Sequence, residues 1–109
     1  MKRGSIVVVA TRGAYTGKPR PALVVQSDLF NPTHASVTIC PITSDCVDAS
    51  LFRLNLPPGS RTGLESASQV MVDKVVSVPR GGISREIGQC DAGELEAVDD
   101  GLRRWLALG

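Results

Sequence analysis

A handful of positions in this sequence carry side chains suited to holding a phosphate and moving a proton, and most fall where an apolar run meets a loop. The first is Arg20, in Gly17-Lys18-Pro19-Arg20-Pro21-Ala22-Leu23-Val24-Val25-Gln26. Each flanking proline holds its own φ near −65° and restricts the residue before it. The guanidinium is therefore presented in a nearly fixed orientation, useful for gripping a phosphate, although an ordinary strand entrance has the same look. Thr43 and Ser44 close the run Ser36-Val37-Thr38-Ile39-Cys40-Pro41-Ile42, and Asp73-Lys74 interrupt the longer run Ser68–Val78. Arg12 and Lys18 lie in a loop that is locally positive, because no acid occurs between residues 1 and 27. Arg and Thr side chains can hold a phosphodiester, and Arg stabilises charge that builds on its oxygens. Asp73 has the chemistry of a general base, or merely orients Arg20 or Lys74. The plainer readings are a strand-end hydroxyl bonding backbone for Thr43 and a solvated or ion-paired face for Asp73-Lys74.

Other catalytic devices are missing from the sequence. It contains no G-x-S-x-G elbow, P-loop or dinucleotide fingerprint. His34 is the sole histidine, so a Ser-His-Asp or Cys-His triad would have to use it, in a polar loop with no obvious orienting partner. Cys40, Cys46 and Cys90 form no CxxC pair and are odd in number. That argues against a disulfide framework and against a zinc site, and fits a reducing cytosol. No metal and no cofactor are expected. Transesterification of RNA is compatible with what remains, because the substrate's own 2′-hydroxyl attacks. The protein needs only to position the strand, move protons and neutralise charge.

The 109 residues suffice for a single domain spanning 1–109, with 42% hydrophobic but only 4% aromatic residues. Val, Ile, Leu and Ala must therefore fill the core. The net charge of +1 excludes a strongly basic nucleic-acid clamp. Residues 1–90 hold ten Lys/Arg against six Asp/Glu, and residues 91–109 two against five, so a mildly basic body precedes an acidic tail. No signal peptide or long apolar span is evident, and a cytoplasmic protein without a membrane partner is expected.

Strands are expected at 5–10, 22–26, 36–40 running on to Pro41–Ser44, 51–56, 68–78 as one bent strand or two, and 83–89. Pro41 cannot donate to a ladder, which places its strand at an edge, at a bulge or near its end. Asp91 and Glu94 have capping-box spacing, and Leu95, Val98, Leu102, Trp105 and Leu106 form one apolar stripe, so the chain closes with an amphipathic helix. Six or seven short strands and one terminal helix, without βαβ alternation, predict a mainly β fold, a small barrel capped by the helix.

The ordered set Lys2-Arg3-Gly4, Gly17–Asp28, Pro41-Ile42-Thr43-Ser44, Ser68–Val78, Ile87-Gly88 and the final helix resembles the MazF/PemK family of toxin endoribonucleases over essentially the whole chain. The resemblance implies an SH3-like barrel of the CcdB/PemK-like class and a homodimer. It also implies metal-independent cutting of single-stranded RNA, and neutralisation by a cognate antitoxin whose disordered C-terminal segment folds onto the toxin. Arg20 matches the family's catalytic arginine, general acid and phosphate ligand. Thr43 matches the threonine that contacts the scissile phosphate, and Asp73 an acidic position that some members use as base. Arg12, Lys18, Ser44 and Lys74, singled out by their chemistry, are expected to bind substrate around them. Ser5 replaces the usual acid after Arg-Gly, Lys74 replaces a usual glutamine, and the loop between the first strands is short. A sibling branch of the same fold poisons DNA gyrase through the end of its terminal helix, here Trp105-Leu106-Ala107-Leu108-Gly109. A non-catalytic SH3-like binding module is the third reading.

Overall fold

The β-branched runs fold as β1 (Ser5–Val9), β2 (Arg20–Val24), β3 (Ser36–Thr43), β4 (Arg53–Leu56), β5 (Ser68–Met71), β6 (Val76–Pro79) and β7 (Ile83–Gln89), followed by α1 (Ala92–Leu106). The computed structural model describes residues 1–10 and 18–109, so Arg12 of the basic loop lies outside them. Every ladder is antiparallel, in the order β4-β5-β3-β2-β1-β7, with β6 also pairing β3. The expected long segment 68–78 is thus two strands. A short 3₁₀ turn at Val72–Lys74 separates them.

β3 is the longest strand and serves two neighbours on one side. Its first half, Ser36–Ile39, pairs with β6, and its end, Ile42–Thr43, pairs with β5. Pro41 lies between these two ladders, opposite Ala22 of β2. A missing donor is tolerated there because the neighbour changes at that point. The expectation of an edge, bulge or strand end at Pro41 is therefore corrected: the strand is internal and runs through it. β2 likewise starts at Arg20 rather than at Ala22, because Arg20 pairs with Val9.

Both faces of the coiled sheet are buried, which is why β1 and β2 read as continuous apolar runs instead of alternating. Ile6, Leu23, Cys40, Ile42, Val70 and Val72 pack on one face with Val98 of α1. Val7, Val9, Ala22, Val24, Val37 and Ile39 pack on the other with Val78. The helix begins with both arms of the capping box in place: Glu94 N–H donates to Asp91 Oδ1 at 2.7 Å and Asp91 N–H to Glu94 Oε1 at 3.0 Å. Gly101 is buried, and a Cβ there would stand 3.1 Å from Leu54 Cδ2. The glycine that weakens the helix by propensity is what lets it lie close to β4. Arg3 anchors the N-terminus to this assembly, donating to Val25 O at 2.8 Å and to Asp99 Oδ1 at 2.6 Å.

The segment between β4 and β5 crosses back over β7 as a strap. Gln89 N–H donates to Arg61 O at 2.9 Å, and the Arg61 guanidinium reaches both oxygens of Glu94 at 2.6 and 3.0 Å. Thr62, buried in the strap, donates its hydroxyl to Pro57 O at 2.7 Å. Strap and strand approach so closely that only glycine fits at Gly63 (φ +72°) and Gly88. A Cβ on Gly63 would lie 2.1 Å from Ile87 O, and one on Gly88 2.2 Å from Thr62 O.

Candidate active site

A cleft of about 460 Å³ opens at the end of the sheet where β2 begins. Its floor follows one cross-strand row, Pro21 of β2, Val8 of β1 and Arg85 of β7, with Ile87 beside it. Pro19, Arg20 and Ser44 form one wall; the strap and the loop after it, Gly63–Ser66 with Ser68, form the other. The volume falls in the range typical of ligand sites.

Arg20 heads β2, exposed, between its two prolines. Pro21 is tolerated in the strand because the β3 ladder starts only at Ala22. Extending that register by two residues puts Arg20 opposite Thr43. Thr43 is half-buried at the end of β3, and its Oγ1 accepts the Asp45 N–H at 3.0 Å. The plain strand-end role read from the sequence is thus present. The same hydrogen bond uses an oxygen lone pair and leaves the hydroxyl proton available to donate. Ser44, just past the end of β3, lines the cleft, and Thr43 does not. The loop behind them is clamped by Gln69, which accepts from Val47 N–H at 3.0 Å and donates to Val47 O at 2.9 Å and to Asn55 Oδ1 at 3.1 Å.

The other positions singled out from the sequence lie elsewhere. Lys18 is exposed just before Arg20 but does not line the cleft, and Lys74 is exposed on the 3₁₀ turn. Asp73 is on the same turn and accepts both Nε (2.8 Å) and Nη2 (3.2 Å) of Arg53. It is the ion-paired face that the plainer reading anticipated, with Arg53 as partner, and it is absent from the cleft lining. The bidentate bond from Arg53 holds its carboxyl below the ordinary carboxylate value, against an opposing push from burial. Lower folded-state affinity for the proton means that this pair supports the fold above the ordinary carboxylate pKa, about 3.9, and ceases to as the pH falls through that range. Asp73→Asn should lower stability by about 1–2 kcal/mol at neutral pH, and the difference from wild type should vanish below about pH 3, as thermal melts across a pH series would read.

Two charged residues of the cleft were not singled out from the sequence. Arg85 brings a second exposed guanidinium, two strand spacings or about 10 Å from the β2 wall. Glu65, exposed at the end of the strap, brings a carboxylate. Neither stands in a motif, and only the β1–β7 register and the path of the strap bring them to Arg20. The thiols offer no nucleophile here. Burial pushes both Cys40 and Cys90 up to about 12, and exposed Cys46 is not among the lining residues.

Comparison with known proteins gives this geometry its context. The model of the PemK-like, MazF-like toxin of type II toxin–antitoxin systems matches residues 2–106. The chain belongs to this toxin family. Among curated proteins it is similar to the probable endoribonuclease MazF of Mycolicibacterium smegmatis, with 43% identity over 108 residues, covering 99% of this chain and 98% of that one. The endoribonuclease MazF9 of Mycobacterium tuberculosis is 30% identical over 116 aligned positions, covering 99% and 98%. Among solved structures, the Mycobacterium tuberculosis toxin MazF-mt6 superposes with a TM-score of 0.82 at 22% identity, over 96% of this chain and 98% of that one. A mycobacterial endoribonuclease in complex with its cognate antitoxin superposes equally well, TM-score 0.82 at 16% identity, over 100% and 97%. At these identities the two structures establish the fold of the PemK/MazF family for this chain, a mainly β domain with seven strands and a terminal helix.

Proposed function

We propose that this PemK/MazF-family chain cuts single-stranded RNA as the toxin of a type II toxin–antitoxin pair. The full-length similarity to proteins named endoribonuclease MazF supports an RNA-cutting enzyme over a gyrase poison or a non-catalytic adaptor. The observation that carries the mechanism is that Arg20 and Ser44 share one cleft with a second cation, Arg85; the β2–β3 register, extended two residues past Ala22–Pro41, brings Thr43 opposite Arg20.

In this reading Arg20 holds the scissile phosphate and supplies a proton to the leaving 5′ oxygen. Thr43 donates its hydroxyl to a phosphate oxygen, and Ser44 and Arg85 hold the flanking backbone. The substrate's 2′-hydroxyl attacks the adjacent phosphorus, the P–O5′ bond breaks, and the products carry a 2′,3′-cyclic phosphate and a 5′-hydroxyl. The Arg20 guanidinium, braced by its two prolines, stabilises charge on the phosphorane oxygens without reorganising as it develops. The reaction is metal-independent and takes place in the cytoplasm. Lys18 and Lys74, both exposed, extend the basic surface toward the rest of the strand; Arg12, also expected to bind substrate, lies outside the described residues. The chain works as a homodimer, and a cognate antitoxin inhibits it by laying its disordered C-terminal segment over the cleft.

The test is incubation of the purified protein with a mixed-sequence, unstructured RNA pool in EDTA, followed by sequencing of the cut ends. Cleavage at a short recurring sequence, with cyclic phosphate and 5′-hydroxyl termini, is expected. An intact pool, with supercoiling by gyrase blocked instead, would replace this function with the second.

A further inference from the structure

Transfer of the 2′-hydroxyl proton needs an acceptor, and the cleft contains one. Of the residues lining it, Glu65 alone has a carboxylate, facing the same space as Arg20 and Arg85. Its position is well held for an exposed residue. Leu64, immediately before it, is buried, accepts from Gly59 N–H at 3.1 Å and follows the close approach of Gly63 to Ile87. Among the described residues no ion pair engages Glu65, whereas Asp73 has both oxygens on Arg53. A carboxylate whose lone pairs are taken by a guanidinium, and whose proton affinity that contact lowers, is a poor base. One that faces the phosphate-binding cation across the cleft and has no ion-pair partner among the described residues is well placed.

We infer that Glu65 is the general base of this site. The inference rests on the RNA-cleavage reading above and names the one proton carrier that reading leaves open. Glu65 takes the proton from the 2′-hydroxyl as the new P–O2′ bond forms. The 5′ oxygen leaves with a proton from Arg20, and the carboxylic acid returns its proton to solvent, from which Arg20 is reprotonated. No electrons change hands and no further reactant is required. The charged groups that face Glu65 across the cleft are Arg20 and Arg85, contributed by β2 and β7.

The experiment compares wild type, Glu65→Gln and Glu65→Asp on the mixed RNA pool in EDTA, over a pH series, with kcat and KM measured separately. Loss of a general base removes about 10²–10⁴-fold. Glu65→Gln should lower kcat by at least about 10²-fold, leave KM within a few-fold, and abolish the acid-side fall in rate that wild type shows. Glu65→Asp should recover part of kcat and keep the acid-side fall. Because Glu65 is exposed, the melting temperature serves as the fold control and should not move by more than a few degrees. If wild type cuts RNA and Glu65→Gln cuts at a similar rate with the acid-side fall intact, the base is elsewhere and this inference fails alone. An acid-side fall that persists in Glu65→Gln but disappears in Asp73→Asn likewise overturns the inference and returns the role to Asp73. A change confined to KM makes Glu65 an electrostatic guard of the cleft and also overturns the inference. If wild type leaves RNA intact, the cleavage reading falls and takes this one with it.

Discussion

Arg20→Ala lowers RNA cutting by about 10⁴-fold or more, with the melting temperature within about 4 °C of wild type. Two separate losses add up to the activity effect. Removing a preorganised donor from a developing oxyanion costs about 10²–10³-fold, and removing a positioned acid costs a further factor of the same order. The small stability effect follows from position. Arg20 is exposed at the first residue of β2, and its strand geometry is set by Pro19, Pro21 and the pairing with Val9, none of which depends on its side chain. Surface changes of this kind usually stay within about 0.5 kcal/mol, and about 1 kcal/mol corresponds to roughly 4–8 °C in a domain of this size. Arg20→Lys should restore binding more than rate, because a lysine keeps the charge but loses the planar fork that engages two phosphate oxygens. An Arg20→Ala protein that cuts RNA within about threefold of wild type would remove Arg20 from the chemistry altogether.

Gly88→Ala has the second large effect, on the fold itself. The added methyl would stand 2.2 Å from both Thr62 C and Thr62 O and 2.5 Å from Arg61 O. All three are backbone atoms, so no change of rotamer relieves the overlap. The strap has to lift off β7, and it takes with it the Gln89–Arg61 hydrogen bond and the setting of buried Thr62. Overpacking against side chains costs about 1–3 kcal/mol; against fixed backbone about 3–5 kcal/mol is expected, a drop in melting temperature of more than about 12 °C. Gly63→Ala should behave similarly, because it combines a positive φ with a Cβ 2.1 Å from Ile87 O. Gly81→Ala is the control: nothing lies within 4 Å of its Cβ, and the melt should be unchanged. If Gly88→Ala melted with the control, the strap would not be packed on β7 as described.

How much of this was legible in the sequence depends on how far apart the partners lie along the chain. The capping box of α1 and the turn at Asp73-Lys74 are local, and their signals are read from a few neighbouring residues. Most strands were legible because β-branched runs separated by Gly and Pro leave few alternatives, while 68–78 stayed open between one bent strand and the two that form. Arg20 and Thr43 stood out through their immediate neighbours, the prolines of one and the Pro-Ile-Thr-Ser context of the other. Asp73 was legible as part of an ion-paired face but not as the partner of Arg53, which sits in a strand with weak alternation. Arg85 and Glu65 have no local signature at all. A one-residue slip in the β1–β7 register would turn Arg85 to the other face, and Glu65 reaches the cleft only because two glycines far apart in sequence permit backbone contact. The value of Gly101 was hidden for the same reason, since its benefit lies in Leu54 and Val72, not in the helix.

β1 lies between β2 and β7, and this arrangement governs when the enzyme comes into being. One wall of the cleft is made early in synthesis, with β2 and the end of β3, but its floor ends on β7, which must pair back to the first strand of the chain. Such long-range closure is the slow part of β-protein folding, and domains emerge from the ribosome N-terminus first. A partly made chain can hold Arg20 and Ser44 but has neither Arg85 nor the surface on which the strap rests. The whole site therefore forms only once β7 has been made and has docked beside β1, so that synthesis of β7 and assembly of the cleft are coupled by topology.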